Sequence, residues 1–406
     1  MEFFEFVTPK EALQTIEANI DLKKKTEKIN VTKGLDRVVA FDVLAAEDLP
    51  AFTKSTMDGY AIQAGDTFGA SEQTPQTLDI IGEVEMGVRP NLELKAGQAV
   101  EIPTGGMLPD GADAVVMIER VETKADEVKV YTSVSPGANI VRKGSDILQG
   151  EVVVSAGHCL RPQDIGALAG LGITEIEAYK KPKVGIISTG NELISLGEEL
   201  NPSQTRDINT YSLTSLVEEL GAIPIQGGII EDSNKALKQA VDELAPQVDF
   251  LLISGGSSVG ARDVTYEVLE ELGTEDVLIH GIAIKPGKPT LFTMLDELPV
   301  YGLPGHPVSV MVTFNKFVAP YINQKMGVIK PPSTVKAEFS QNISSDPGRE
   351  DYLRVTVEKE NNNLIARPVR GESSLIMTMV EADGLVRVPL SREGLTAGEE
   401  VKVELF

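Results

Sequence analysis

Four glycine-bearing loops in the sequence have the residue types that bind phosphate or another oxyanion. They lie at the ends of predicted strands, at 188–192, 254–260, 286–289 and 304–309. Glycine lets backbone N–H groups approach an anion closely, and a helix that follows adds a favourable dipole. None of the four is a Walker A loop or a GxGxxG fingerprint, and a single such loop is usually only a turn. Four of them on one sheet indicate a shared ligand crevice.

Two lysines supply the positive charge that such a crevice needs. Lys285 and Lys288 flank Pro286-Gly287, so a rigid turn presents two ammonium groups. Lysine is a good point-charge partner for phosphate or an oxyanion. The alternative is a pair of surface lysines on an exposed loop.

Carboxylates lie beside these loops and also in the first half of the chain. Acids next to phosphate-binding loops can hold Mg²⁺, which bridges phosphate oxygens. The alternative for each acid is helix capping or turn formation, for which aspartate is a preferred residue. The candidates are Glu192, Asp232 and Asp263 beside the loops, and Asp58 and Asp146 in the first half.

Cysteine and histidine usage excludes two other kinds of site. The chain has one cysteine and three widely spaced histidines, so it has neither a disulfide framework nor a zinc motif. Cys159 lies in an apolar stretch, which favours a buried and inert thiol. His306, between Gly305 and Pro307, either shapes its loop or contacts a substrate.

Charge and hydropathy indicate a cytoplasmic protein that binds neither nucleic acid nor membranes. The formal net charge is −24 at pH 7, which repels nucleic acid and anionic lipid surfaces. The first residues include acids where a signal peptide needs a positive segment followed by an apolar one. No run of about eighteen apolar residues is present, so no membrane span is expected.

The spacing of apolar residues predicts a multidomain α/β plus β fold. Thr8, Pro9 and Glu11 predict a capped first helix. Short β-branched runs between Gly and Pro turns predict small β modules from about residue 31 to 176. From about 182, strands alternate with amphipathic helices, which predicts a doubly wound, mostly parallel sheet. After Pro331-Pro332, five runs predict a small antiparallel β domain, at 334–339, 352–358, 364–369, 385–388 and 400–405.

Seven motifs, in order along nearly the whole chain, resemble those of one family. They are Ser-x-Met-Asp-Gly-Tyr-Ala at 55–61, Pro-Thr-Gly-Gly at 103–106, Gly-Ala-Asp-Ala-Val-Val at 111–116, Ser-Thr-Gly-Asn-Glu-Leu at 188–193, Ser-Gly-Gly-x-Ser-Val-Gly-x-x-Asp at 254–263, Lys-Pro-Gly-Lys-Pro at 285–289 and Leu-Pro-Gly-x-Pro-Val-Ser at 303–309. On these motifs the chain resembles the MoeA family of molybdopterin molybdenumtransferases, which is related to the E domain of gephyrin.

The resemblance implies an elongated homodimer whose active cleft is shared between the chains. Its α/β domain would be similar to the molybdopterin adenylyltransferases, and its C-terminal domain would be a small β-barrel-like domain. The implied reaction inserts molybdate into adenylyl-molybdopterin, uses Mg²⁺, and releases AMP with the finished molybdenum cofactor. The implied domains are a linker and dimerisation subdomain at 23–43 and 140–178, a β-rich subdomain at 44–139, an α/β molybdopterin-binding domain at 1–22 and 179–329, and a C-terminal β domain at 330–406.

The resemblance also implies roles for individual residues. The catalytic residues would be Asp58 and Thr104, acting from the partner's face of the cleft, with Asp146, Glu192, Asp232 and Asp263. Within this set, Mg²⁺ would be held by Glu192, Asp232 and Asp263. The substrate-binding residues would be Arg142, Thr189, Gly190, Ser254, Gly255, Gly256, Ser258, Lys285, Lys288, Pro304, Pro307, Ser309, Arg349 and Ser373. Molybdate itself would lie at Ser309, Arg349 and Ser373.

Two residues depart from the family pattern. His306 stands where the family usually has Asn, which bears on oxyanion selectivity and pH dependence. Asn191 stands where Asp is usual, which removes a carboxylate from the region of the metal.

Two other functions would use parts of the same sequence pattern. An adenylyltransferase would make adenylyl-molybdopterin instead of consuming it, but the motifs at 55–61 and 103–106 do not fit a lone α/β domain. A non-catalytic scaffold or carrier would keep the fold and the dimer. Such a carrier needs the binding groups but not all of the acids.

Overall fold

The chain is organised as two compact units. The computed structural model describes residues 6–255, 264–273, 276–329 and 331–406. One unit is Lys28–Ala178, and the other combines Met1–Glu27 with Tyr179–Phe406. None of the helices in the described part of the chain is long and apolar enough to cross a membrane.

Helix α1 (Pro9–Asn19) begins with the predicted capping box. The N–H of Glu11 donates to Thr8 Oγ1 at 3.2 Å, and the N–H of Thr8 donates to Glu11 Oε2 at 2.8 Å. Ala12 and Ile16 are buried against the core of the larger unit. The prediction of a capped amphipathic helix here is confirmed.

Strands dominate the unit Lys28–Ala178. In chain order, this half of the molecule has β1 (Thr26–Asn30), β2 (Val43–Leu44), β3 (Lys54–Ser55), β4 (Gly59–Ile62), β5 (Gln76–Glu83), β6 (Gln98–Ile102), β7 (Ala114–Met117), β8 (Val121–Lys124), β9 (Glu127–Val130), β10 (Ile140–Val141), β11 (Val152–Val154), helix α2 (Pro162–Gly170) and β12 (Glu175–Tyr179). Six strands form a sheet in the order β7-β4-β6-β5-β9-β8. The prediction of β modules in this region is confirmed.

Cys159 is exposed, so the expectation of a buried thiol is wrong. Cys159 forms an isolated antiparallel bridge with Val38, and the next residue, Leu160, is fully buried. Because successive side chains of an extended segment point to opposite sides, Leu160 takes the inward position and Cys159 the outward one. The apolar neighbours that suggested burial lie on the other side of the segment.

The α/β domain has a six-stranded, mostly parallel sheet. Its region contains β13 (Lys183–Thr189), β14 (Leu193–Ile194), β15 (Thr205–Arg206), β16 (Ile223–Ile230), β17 (Phe250–Ser254), β18 (Ile279–His280), β19 (Ile284–Lys285), β20 (Leu291–Leu295) and β21 (Leu298–Leu303). The sheet order is β16-β13-β17-β21-β20-β18. The first four strands in that order run parallel, and β20 is antiparallel to both of its neighbours.

Both faces of this sheet are covered by helices. These are α1 and α3 (Asn209–Glu219), α4 (Asn234–Leu244), α5 (Val264–Leu272), α6 (Pro307–Thr313) and α7 (Ala319–Lys325). Phe250 and Leu252 of β17 belong to the core that includes α1, α3 and α6, whereas Leu251 and Ile253 belong to the core of α4 and α5. The predicted doubly wound architecture is confirmed.

The C-terminal domain is a small closed β-barrel. Its elements are β22 (Thr334–Phe339), β23 (Ile343–Ser344), β24 (Glu350–Glu360), β25 (Asn363–Pro368), helix α8 (Met377–Val380), β26 (Gly384–Val388), β27 (Gly394–Leu395) and β28 (Glu400–Leu405). The order β24-β25-β22-β28-β26 is closed by pairing between β24 and β26.

One pair of barrel strands departs from the antiparallel prediction, because β22 and β25 run parallel. Strand β25 lies between β24 and β22. It forms an antiparallel hairpin with β24 and therefore runs in the same direction as β22. An alternating apolar pattern defines which face of a strand is buried but not the direction of its neighbour.

Candidate active site

The carboxyl ends of β13, β17 and β21 bring the predicted glycine loops together. Gly255 has a φ of +102°, and an added Cβ there would lie 2.2 Å from the carbonyl oxygen of Thr189. The N–H of Gly255 also donates to the carbonyl oxygen of Leu303 at 3.2 Å. Since β17 lies between β13 and β21, the ends of these strands at Thr189, Ser254 and Leu303 lie together at one edge. Only glycine allows this approach at position 255.

Asp232 lies beside this edge, and both of its carboxylate oxygens accept hydrogen bonds. Thr189 Oγ1 donates to Oδ1 at 2.5 Å, and the N–H of Asn191 donates to Oδ2 at 3.3 Å. The N–H of Asp232 donates in turn to Asn191 Oδ1 at 3.1 Å. An aspartate at 191 would put a second negative charge against Asp232, so the neutral amide stabilises this loop pair.

Two of the three predicted metal-binding acids lie on adjacent loops of this edge. The Glu192 carboxylate lies next to Gly190. A Cβ added at Gly190 would lie 3.0 Å from each of the two carboxylate oxygens. Across residues 6–255, 264–273, 276–329 and 331–406, no group of three or more Asp, Glu, His or Cys residues has a metal-binding arrangement. Three predicted site residues lie outside the described residues, namely Gly256, Ser258 and Asp263. A three-acid Mg²⁺ site therefore stays a prediction.

A buried asparagine that the sequence motifs did not reveal links two of the loops. Asn209 Nδ2 donates to Ser254 Oγ at 2.7 Å and to the carbonyl oxygen of Gly305 at 2.8 Å. Asn209 Oδ1 is buried and accepts no hydrogen bond from the described residues. A buried acceptor without a partner costs about 1–3 kcal/mol. Such exceptions in a native structure call for an explanation, and here the amide fixes the distance between two ligand loops.

A second buried polar group, Asp207, lies two residues before α3. Its Oδ1 accepts from Ser188 Oγ and from the N–H of Thr210, each at 3.1 Å. An Asp-x-Asn pair directly before a helical stripe is the signal that could have identified this position, since these residues favour helix starts. Asp207 ties the start of the helix to the end of β13, and Asn209 ties it to the ends of β17 and β21.

We expect Asn209→Ala to lower kcat/KM for the reaction at this edge by about 10-fold or more, because the loops lose their common donor. The thermal unfolding midpoint should fall by only about 2–4 °C, since the change also removes an unpaired acceptor. The matched control is Asn234→Ala, which alters the first residue of another helix, where Nδ2 binds Glu267 on the surface. Equal activity of the two variants would show that Asn209 is only structural.

The lysine turn emerges from the same edge of the sheet. Strand β20 runs antiparallel to β21, with Leu291 opposite Gly302, so the segment before β20 leaves the sheet where β21 ends. Both Lys285 and Lys288 are exposed. Lys288 Nζ lies 3.9 Å from the centroid of the Phe6 ring. The turn therefore lies on the side of the domain where the glycine loops meet.

Arg349 of the C-terminal domain is held by two carboxylates. Its Nη2 lies 2.7 Å from Asp346 Oδ2, and its Nε lies 2.9 Å from Asp351 Oδ1. Asp351 is the register partner of Lys285 in the parallel pair β19–β24, so Arg349 lies beside the lysine turn. An oxyanion at this arginine would share it with both acids.

Ser373 of the C-terminal domain lies against the loop that follows β21. His306 Nδ1 and Ser373 Oγ are 2.8 Å apart, and the N–H of Val308 donates to the carbonyl oxygen of Ser373 at 3.1 Å. Ser309 is buried in the first turn of α6, which begins at Pro307. His306 therefore contacts a residue of the predicted molybdate set, and Pro304 precedes it on the same loop.

Asp58 and Thr104 form a direct pair in the unit Lys28–Ala178, here called the β-rich unit. Asp58 Oδ1 accepts the N–H of Thr104 at 2.7 Å and its Oγ1 at 2.9 Å. The N–H of Gly105 donates to the carbonyl oxygen of Ser55 at 2.9 Å, which joins the two motif loops. The backbone N–H and the hydroxyl of Thr104 hold the pKa of Asp58 below its ordinary value. An exposed, ionised carboxylate of this kind can accept a proton or bind a cation.

Arg142 and Asp146 lie in the same unit as this pair. Strand β10 pairs antiparallel with β3, with Val141 opposite Lys54, so Arg142 follows at the end of β3 that lies away from Asp58. Asp146 is exposed further along that segment. Four of the predicted site residues thus belong to Lys28–Ala178, and all other described ones belong to the second unit.

The pair predicts a pH effect for Thr104→Val. This change removes the hydroxyl donor but keeps the backbone N–H, so the pKa of Asp58 rises toward its ordinary value. If Asp58 acts as a base, the acid limb of the kcat/KM profile moves to higher pH. Thr77→Val, at an exposed strand residue of the same unit, serves as the control and should leave the profile in place. An unshifted acid limb in Thr104→Val would contradict a catalytic role of the pair.

Three family models match successive parts of the chain. The MoeA N-terminal region (domain I and II) matches residues 7–172. A probable molybdopterin binding domain matches residues 185–324, and the MoeA C-terminal region (domain IV) matches residues 336–406.

Relatives align along almost the entire chain. A putative molybdopterin biosynthesis protein of Methanocaldococcus jannaschii is 37% identical over 95% of this chain and 94% of its own length. A molybdopterin molybdenumtransferase of Haemophilus influenzae is 35% identical over 94% of each chain. The crystal structure of a molybdopterin biosynthesis MoeA protein of Pyrococcus horikoshii superposes with a TM-score of 0.87 at 37% identity and covers 99% of both chains. The chain therefore belongs to the MoeA family of molybdopterin molybdenumtransferases.

Proposed function

We propose that the protein inserts molybdate into adenylyl-molybdopterin and releases AMP with the finished molybdenum cofactor. One arrangement carries the proposal: glycine loops meet at one sheet edge, Asp232 lies beside them, and Ser373 docks on the loop after β21. Loops of this kind suit phosphate groups, and an adjacent serine and arginine suit an oxyanion. Relatives that bear the name molybdopterin molybdenumtransferase support an enzyme of molybdenum cofactor biosynthesis.

Binding of the anionic substrates is assigned to groups that are fixed before the reaction. Backbone N–H groups of the glycine loops, with Lys285 and Lys288, would bind the phosphates. Molybdate would lie at Ser309, Arg349 and Ser373. Donors that are already oriented need no reorganisation as charge develops. The lysines also offset locally the net charge of −24.

Asp58 is the proposed proton acceptor, and it would act from the partner chain. The phosphoanhydride is hydrolysed: the oxygen of water adds to the adenylyl phosphorus and departs in AMP. The bridging oxygen stays on the molybdopterin phosphate, and the proton of the water passes to Asp58. With a pKa below the ordinary value, this carboxylate is ionised at neutral pH and can accept a proton.

Glu192 and Asp232 would hold Mg²⁺ at the phosphates, with Asp263 as a third acid. The donors at this edge are oxygen atoms of carboxylates and of Thr189, which are the ligands that Mg²⁺ prefers. Mg²⁺ commonly takes one or two carboxylates together with substrate phosphates and water, so the described acids fit. When bound there, the cation neutralises phosphate charge.

The proposed homodimer is supported by exposed apolar side chains in the β-rich unit. Leu44 and Val152 are 52% and 46% exposed and are register partners in the β2–β11 pair. Phe41, close by in sequence, is 61% exposed. Adjacent exposed apolar side chains are typical of a protein interface. In the dimer, Asp58 of one chain would complete the cleft of the other. The cytoplasmic location of the protein stays a prediction.

The proposal is tested by incubating the purified protein with adenylyl-molybdopterin, Mg²⁺ and molybdate and measuring AMP by chromatography. We expect AMP release that depends on molybdate. Tight binding of adenylyl-molybdopterin without AMP release would indicate a carrier. Formation of adenylyl-molybdopterin from molybdopterin and ATP would indicate an adenylyltransferase.

A further inference from the structure

The segment that carries Ser373 is held in place by Arg354 of the barrel. Arg354 Nη2 donates to the carbonyl oxygen of Gly371 at 2.6 Å, and Nη1 donates to that of Glu372 at 3.4 Å and to Thr378 Oγ1 at 2.5 Å. On its other side, Ser373 contacts the loop after β21 through His306 and Val308. The segment is therefore clamped between the two domains of this unit.

Arg354 serves no ion pair in the described part of the chain. Among the described residues, each carboxylate that lies within 4.0 Å of a cationic nitrogen is paired with a residue other than Arg354. Burial also lowers the pKa of Arg354, and its Nε is buried without a hydrogen-bond partner among the described atoms. A half-buried arginine without a carboxylate is costly. Its position is explained by the carbonyl oxygens that it fixes just before Ser373.

We propose that His306 and Arg354 are positioning residues that present the Ser373 hydroxyl to the oxyanion substrate. This inference rests on the proposed function and assigns two further residues to the binding of its oxyanion substrate. A serine hydroxyl has one proton and two lone pairs. When the Nδ1–H of His306 donates to Ser373 Oγ, the serine proton stays free to donate to the oxyanion. An asparagine at 306 can donate in the same way through its amide, but an alanine cannot.

The first test compares His306→Ala with His306→Asn. In His306→Ala we expect the KM for molybdate to rise about 10-fold, while the KM for adenylyl-molybdopterin stays within about twofold. His306→Asn should recover most of the affinity for molybdate. A wild-type KM for molybdate in His306→Ala would overturn the proposal, and so would an equal rise in both KM values.

A double-mutant cycle tests whether His306 acts through Ser373. Residues that act as one unit have non-additive effects. We therefore expect His306→Ala to change nothing further in a Ser373→Ala background. Independent, additive effects on the KM for molybdate would refute the coupling. Arg354→Met should raise the same KM. If Arg354→Met does not fold, Arg354→Lys, whose three donors lie on a single nitrogen, should also raise it, and an unchanged KM would refute the role of Arg354.

Imidazole ¹⁵N resonances report on the contact without any turnover. The chain has three histidines, so single His→Gln variants assign each signal. We expect the Nδ1 resonance of His306 to move in Ser373→Ala while those of His158 and His280 stay in place. An unchanged His306 resonance would overturn the inference. A wild-type protein that releases no AMP would refute the proposed function and leave this measurement readable.

Discussion

Asp58→Asn is expected to lower the rate of AMP release by about 10²-fold or more. Asparagine can still accept the two hydrogen bonds that Thr104 donates, but it cannot take a proton. Because the Asp58 side chain is exposed, no buried contact is lost, and the thermal unfolding midpoint should stay within about 2 °C. AMP chromatography and scanning calorimetry on the same preparation measure both quantities.

Asp66→Asn is the matched control for this variant. Its carboxylate also accepts a backbone N–H, that of Gly97 at 2.8 Å, within the same β-rich unit. We expect Asp66→Asn to retain wild-type AMP release. Retained activity and a large fall of the unfolding midpoint in Asp58→Asn would instead assign Asp58 a structural role.

Two inactive variants should restore each other when they are co-expressed. Asp58→Asn removes a carboxylate that the β-rich unit contributes to the cleft, whereas Asp232→Asn removes one that the sheet edge contributes. In a homodimer with a shared cleft, half of the randomly formed dimers are mixed, and each mixed dimer has one intact cleft. The mixture should therefore regain about a quarter of wild-type activity. The measurement is AMP release by dimers purified through two different affinity tags and by the unselected mixture.

A second co-expression gives the opposite signature. The double variant Asp58→Asn with Asp232→Asn, mixed with wild type, should retain about a quarter of full activity, because every mixed dimer has two damaged clefts. If each chain carried a complete cleft, this mixture would instead retain about half, and the two single variants would not restore each other. Either result would refute the shared cleft.

Local patterns predicted most of the secondary structure. The capping box of Thr8 and Glu11 and the Ser233 cap of α4 depend on residues three positions apart. The buried strands β13, β17 and β21 appear as short apolar runs, of which the first two end in Ser or Thr before a Gly and the third is followed by Pro-Gly. Such signals lie within one turn or one strand, so a single sequence contains them. The glycine loops could be placed at a common edge because parallel strands share their carboxyl ends.

Long-range contacts within the candidate site left no comparable signal. Asn209 binds Ser254 and Gly305, which are 45 and 96 positions away, and His306 binds Ser373 over 67 positions. No period or spacing encodes partners at such separations. The parallel β22–β25 pair was mispredicted because an alternating apolar pattern does not define the direction of a neighbouring strand. Cys159 was mispredicted because apolar neighbours in the sequence do not define which side of an extended segment meets the core.

Arg349 is already engaged before any ligand arrives. Asp346 and Asp351 bind it, so the charge of the guanidinium is offset by two carboxylates. Arg349 and its two carboxylate partners therefore have no net positive charge that would attract sulfate or phosphate from the surrounding salt. An oxyanion that binds the guanidinium shares it with both carboxylates. We expect little inhibition of turnover by sulfate.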